Sequence, residues 1–172
     1  SWPLDDVFVT QLFGKTSASG RLYASGSHSG VDFRATVGTP VRAMANGVIM
    51  GTGDTDVQCK GASFGKWVYI AYQNGLGTTY GHLSRISATT GQKVSAGDVV
   101  AYSGNTGHST GPHLHVSTYA LTDSNGNKLV DVSAKQSLSC KGKILTQPTA
   151  PVGAYLNLLD YTPSVDPSKI KY

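Results

Sequence analysis

His28, Asp32, His82, His113 and His115 are the residues of this 172-residue chain whose types and spacing could do chemistry. Four of its five histidines fall in two short blocks and one isolated site. The blocks read His28-Ser-Gly-Val-Asp32 and Gly111-Pro-His-Leu-His115, with Thr79-Tyr-Gly-His82-Leu83 between them. A catalytic zinc takes three protein ligands from His, Asp or Glu and keeps one position for water. Two imidazoles and one carboxylate meet that need and leave further histidines to move protons. Zinc lowers the pKa of its water towards ~7, and a neutral histidine beside it can take the proton and hand it to a leaving amine. The constellation suits hydrolysis of an amide.

Extended segments are needed to bring these groups together. Side chains two or four residues apart on a strand share a face. His28 and Asp32 therefore point the same way if their block is extended, with Gly30 between them adding no side chain. His113 and His115 also share a face, about 7 Å apart at their Cα atoms. One of the pair can bind the metal while the other stands over the water, and spacing does not say which. His82, from the end of a neighbouring strand, could complete the site. The surrounding sequence reads as short strands. Residues 37–53 predict two strands folded around Asn46-Gly47, a dipeptide that tolerates the positive φ of a type I′ turn. The β-branched and aromatic run Lys66–Tyr72 turns through Asn74-Gly75 into residues 77–82 as a second hairpin. Residues 91–102 give two more short strands around Ala96-Gly97, residues 104–111 a loop, and residues 113–121 a strand. The expected fold is mostly β: an antiparallel sheet sandwich or partly open barrel, with long loops around a zinc-containing groove.

At this length the chain reads as a single domain, residues 1–172, large enough to bury a core. Only 14% of residues are charged, and the net charge of +4 with a pI near 9.1 allows electrostatic attraction to an anionic wall polymer. The lysines are scattered singly, so nucleic acid is not an expected partner. No apolar run approaches the ~20 residues of a membrane span. The start at Ser1-Trp-Pro-Leu4, without Met or a leader, reads as a processed mature domain of a secreted or cell-envelope protein. Cys59 and Cys140 have no CxxC companion, and in an exported protein they are expected to pair. Residues 122–164 look like an added segment, with a turn at residues 124–127 and then Pro148, Pro151 and Pro163.

On these motifs the chain resembles the lysostaphin/LytM-type zinc peptidases, which cut peptide bonds in bacterial peptidoglycan. The matching stretches are His28–Asp32, Gly38–Val41, Asn46-Gly47, Tyr80-Gly-His82-Leu83, Ala96-Gly-Asp98 and the uninterrupted Ser109–His115 signature. The resemblance covers nearly all of residues 1–121, together with a late Asp166-Pro167. It implies one Zn²⁺ per chain, bound by His28, Asp32 and His115. His113 would be the general base on the metal's water, and His82 would position or stabilise the tetrahedral intermediate. Tyr23 lies about where related enzymes carry a tyrosine that stabilises the oxyanion, and an ordinary groove tyrosine is the alternative. The implied activity is a zinc endopeptidase acting on the stem or cross-bridge peptides of peptidoglycan. Pentaglycine, a D-Ala–diaminopimelate link and a D-Ala–Ala bridge all meet that expectation.

The chain departs from the family pattern at Ser117, often Glu, and at Val116, often aromatic. Neither is a ligand, so activity is still implied. His108 falls at a variable position and reads as a rim residue. Residues 122–164 have no family counterpart, and a Cys59–Cys140 bridge would tie them to the loop at 53–65, walling one side of the groove. Other readings are a catalytically silent wall-binding or regulatory member of the same fold, the two-histidine–carboxylate triad of iron oxygenases, and a structural metal site. The intact ligand set, the surplus histidines and the distance of both cysteines from the histidines argue against them in turn.

Overall fold

Alternation of apolar and polar residues along short β-branched runs produces a sheet with two unlike faces. The structure is a computed structural model, and it describes residues 1–14, 28–132, 135–136, 145–163 and 167–170. Its strands are β1 (Val9–Gln11), β2 (Val31–Arg34), β3 (Pro40–Arg42), β4 (Gly47–Asp54), β5 (Lys66–Tyr72) and β6 (Leu76–Ile86). They continue with β7 (Lys93–Val94), β8 (Val99–Ser103), β9 (His113–Ala120), β10 (Lys135–Gln136), β11 (Leu145–Thr146) and β12 (Tyr155–Leu156). A one-turn helix, Thr55–Gln58, follows β4. The named strands pair antiparallel, in the main order β1-β2-β9-β6-β5-β4-β7. β12 adds to β9, and β8 joins β3 to β6. The expected mostly β antiparallel fold is what forms, and the sheet does not close into a barrel.

Within β2, β5 and β9, alternate residues sort to opposite faces. Val31, Phe33, Val68, Ile70, Leu114 and Val116 join the main core with Leu4, Val9, Val41, Ile49 and Leu83. The other face carries Asp32, His113 and His115, and beside them a second cluster of Trp67, Tyr69, Tyr119 and Val130. Val132, Ala150 and Tyr155 pack on that cluster, so part of the segment expected to be an addition covers the sheet next to the histidines.

The hairpin expected through Asn74-Gly75 forms, with Ala71 opposite Gly77 and Gly75 at φ 85°. The hairpin expected around Asn46-Gly47 does not. β3 pairs with β8, while β4 pairs with β5 and β7. Gly47 is absent from the positive-φ positions; its requirement is close approach, since a Cβ there would lie 2.4 Å from the Ala71 carbonyl oxygen. Asn46 links neighbours instead, accepting from the Ala96 N–H through its side chain and from the Gln73 N–H through its carbonyl.

Gly47→Ala is therefore expected to destabilise the protein by about 1–3 kcal/mol through overpacking. A fall in the thermal unfolding midpoint checks this, and an unchanged midpoint would return Gly47 to a simple turn role.

Candidate metal centre

Two neighbouring strands bring the chemistry together. β2 and β9 pair with Asp32 directly opposite His115, and β9 pairs with β6 so that His115 also faces Gly81. His28 precedes β2, bridged to Gly14 by two backbone hydrogen bonds. Its ring comes to the same point: Nε2 lies 3.2 Å from Asp32 Oδ1, and His115 Nδ1 lies 2.9 Å from that oxygen. One donor atom from each of His28, Asp32 and His115 falls within 4.8 Å of the others, and all three residues are buried. Gly30 permits this closeness, because a Cβ there would lie 2.8 Å from His115 Nε2 and 2.3 Å from the Val116 carbonyl oxygen.

The protons on these rings follow from their outer partners. His28 Nδ1 lies 3.1 Å from the Leu12 carbonyl oxygen, which can only accept, so the neutral ring carries its proton on Nδ1 and turns the Nε2 lone pair to Asp32. His115 Nε2 lies 2.7 Å from Ser117 Oγ, which can accept its proton and leave Nδ1 as a second lone pair aimed at Asp32. Two imidazole lone pairs and a carboxylate facing one another repel unless a cation lies between them. The donor set fits a divalent metal, and the outer partners are of the kind that orient metal-binding histidines.

His113 and His82 stand beside this trio, their ring centroids 4.7 Å apart. His113 Nδ1 donates to the Gly111 carbonyl at 2.8 Å, with Ser109 Oγ at 3.2 Å, and its Nε2 faces Asp32 Oδ2 at 3.8 Å. His82 Nδ1 donates to the Thr106 carbonyl at 2.7 Å. Both rings thus keep a proton-accepting nitrogen for the site. His82 arrives by a kink rather than by alternation: β6 is bulged against β5, and His82 sits at φ 59°. Tyr80 and Leu83, on either side of it, point into the main core. A bulge that turns one side chain to the other face commonly accompanies an active site.

Burial drives His82 down to about 3, with His115 and His113 adding to the shift. Burial also lowers His115, outweighing the bond to Asp32 that acts the other way. For Asp32, burial favours the neutral acid, but the His115 and His28 rings, whenever they turn a proton towards it, outweigh burial and hold the carboxyl well below the usual carboxylate range.

The structure brings together His28, Asp32, His82, His113 and His115. Tyr23 and Cys140 lie outside the described residues. Cys59 follows the short helix, and no free cysteine is present among the described residues. His108 is an exposed loop residue whose backbone N–H donates to the Ser63 carbonyl. Ser117, a departure from the family pattern, contacts His115 directly. The strand period that paired His113 with His115 extends to 117 and could have placed it. Phe64, whose ring lies 5.6 Å from that of His115, gave no sequence signal.

The model of peptidase family M23 matches residues 26–131, more than half of the chain. The chain is 46% identical over 88 residues to the DD-carboxypeptidase/endopeptidase Mpg of Neisseria meningitidis, covering 51% of this chain and 19% of that protein. It is 41% identical over 91 residues to the glycyl-glycine endopeptidase ALE-1 of Staphylococcus capitis, covering 52% of this chain and 24% of that one. The chain thus spans a quarter or less of the length of these relatives. The catalytic domain of the antimicrobial peptidase lysostaphin from Staphylococcus simulans superposes with a TM-score of 0.56 at 32% identity, covering 69% of this chain and 84% of that domain.

In the metal-free protein, His82 folds with its proton off although its ordinary value is 6.5. The unfolded chain binds that proton first, so stability from this group is complete above about pH 6.5 and is lost as pH falls towards 3. The unfolding midpoint of chelated protein should drop more between about pH 7.5 and about pH 5 for wild type than for His82→Gln. Equal drops would show that His82 is not held neutral.

Proposed function

The chain belongs to peptidase family M23, and on that premise we propose that it is a zinc endopeptidase of bacterial peptidoglycan, cutting a stem or cross-bridge peptide bond. The observation that carries this is the convergence of His28, Asp32 and His115 on one point, with two accepting imidazoles alongside. Donor atoms around a tetrahedral zinc with bonds of about 2.0–2.1 Å stand about 3.3 Å apart. Asp32 Oδ1 stands 3.2 Å from His28 Nε2 and 2.9 Å from His115 Nδ1. Zinc held there supplies Lewis acidity that makes water a nucleophile near neutral pH and polarises the scissile carbonyl.

The protein's own groups do the rest. His113 Nε2, free of its proton because Gly111 holds it on Nδ1, takes the proton of the attacking water and returns it to the leaving amine. His82 begins as a second acceptor, orienting the water. It can steady negative charge only after taking a proton, which its burial resists and the developing charge favours. Ser117 holds the ring of His115 from behind, and the Leu12 carbonyl does so for His28. Tyr23 is assigned the oxyanion role that the family implies for it. Cys59 is assigned Cys140 as its partner, and the whole chain is assigned to one peptidase domain.

The substrate assignment follows from relatives named for cleaving peptidoglycan or glycyl-glycine bonds. Action on the cell wall is the basis for assigning the protein to the outside of the cell or the envelope. No helix of the described residues is long and apolar enough to cross a membrane.

Digestion of purified sacculi of several cross-bridge types, with new amino termini read by mass spectrometry, tests the activity. Release from one type that stops with chelator and returns with zinc is expected. No release from any wall by zinc-loaded protein would favour a silent wall-binding member. His113→Ala should keep stoichiometric zinc and lose turnover by about 10²–10⁴-fold. Asp32→Ala should lose zinc on dialysis, and a full metal complement in that variant would remove Asp32 from the ligand set.

A further inference from the structure

Among the described residues, two that are not glycine adopt positive φ: Ser63 at 55° and His82 at 59°. Such backbone is strained and persists only where neighbours over-determine it. The two are joined through Phe64. Its carbonyl accepts from the His82 N–H at 2.6 Å, its ring lies against His115, and it packs on Gly81, where a Cβ would meet the ring at 2.9 Å. The conformation of Ser63 therefore sets where Phe64, and with it the backbone of His82, is placed.

Ser63 is held from outside the family motifs. Its hydroxyl donates to Oε1 of Gln147, a buried residue of the segment that has no counterpart in those motifs. The preceding residue adds a second tie, to the end of the short helix that leads into the loop, with Thr146 N–H donating to Gln58 Oε1 at 2.9 Å and Gln58 Nε2 donating to Thr146 Oγ1 at 3.2 Å. The loop passes the restraint on. The Ser63 carbonyl accepts from the His108 N–H at 2.7 Å, and Asp56 accepts from the N–H groups of Gly61 and Gly107. Gly107 adjoins Thr106, whose carbonyl holds the His82 ring.

We propose that Gln147 and Ser63 are positioning residues: the bond between them holds the left-handed turn at Ser63 and so fixes His82 in its bulged, site-facing conformation. The added segment is thereby a brace for the catalytic loop. This rests on the role assigned to His82, and its test includes a measurement that does not depend on turnover.

A serine at positive φ needs its hydroxyl bond, whereas glycine holds that backbone without help. Ser63→Ala in the full zinc-loaded chain should lower kcat about tenfold, a modest part of what misplacing a catalytic group can cost. KM and zinc content should be unchanged. Ser63→Gly should be faster than Ser63→Ala, although glycine is the more flexible substitution. Gln147→Leu should match Ser63→Ala, and the double variant should be no slower than either single one. Amide hydrogen exchange at His82 should quicken in Ser63→Ala and recover in Ser63→Gly. Wild-type kcat and protection in Ser63→Ala, or Ser63→Gly as slow as Ser63→Ala, would overturn the proposal. If Gln147→Leu does not fold, the alanine–glycine contrast at Ser63 decides. If wild type cleaves no wall peptide, the proposed function fails while the exchange at His82 still tests the brace.

Discussion

A carboxylate that is only 6% exposed keeps its charge only if its surroundings replace the water it has lost, and Asp32 is such a group. No lysine or arginine pairs with it among the described residues; its neighbours are His28, His113 and His115. The outer partners of two of these rings, the Leu12 carbonyl and Ser117, let each neutral ring keep its proton on the far side and its lone pair towards Asp32. The result is a buried negative centre edged by lone pairs, an arrangement that a bound cation would balance. Much else nearby follows from it: a glycine at position 30, where any side chain would collide with His115, and the bridge that holds His28 against Gly14.

The two remaining histidines are set up by main chain rather than by charge. His113 and His82 each give their Nδ1 proton to a carbonyl of the loop between β8 and β9, Gly111 in one case and Thr106 in the other. A carbonyl acceptor fixes the tautomer without supplying the negative charge that would stabilise imidazolium. His82 therefore stays neutral near physiological pH, with burial its largest influence. The loop must in turn be fixed, and it is: Thr106 Oγ1 donates to the Leu83 carbonyl and accepts from the Lys66 N–H, while Gly65 and Gly107 meet so closely that neither could carry a Cβ. Catalytic orientation here rests on loop contacts, while ligand convergence rests on the sheet.

That division explains what the sequence made legible. Residues at period two on strands declare their shared face, so His28 with Asp32 and His113 with His115 could be read directly, as could the Asn74-Gly75 hairpin. Pairing between distant strands leaves no such mark. Asn46-Gly47 has the composition of a tight turn, yet its glycine is demanded by a backbone that β5 brings from 24 residues away, Ala71 against Gly47. His82 looked like a strand-end residue because a bulge is invisible in the alternation it interrupts. Ser117 is legible from the face it shares with His113 and His115, although the family pattern favours another residue there.

The register that aligns the site is the register that buries the core. Val31 and Phe33 of β2 pair with Val116 and Leu114 of β9, all four fully buried, while Asp32 between them stands opposite His115. A slip of one residue would move every one of these side chains to the other face. Each buried side chain contributes about 1.5–3 kcal/mol relative to exposure. Four together outweigh the several kcal/mol that desolvating one paired carboxylate costs. The sheet therefore imposes the ligand geometry on Asp32 and His115 whether or not a cation is present. A site ordered in this way does not have to assemble its strands around the metal, and the ordering cost left to binding falls on His28, which lies outside β2 and is held by its two-bond bridge to Gly14 and its ring contact with the Leu12 carbonyl.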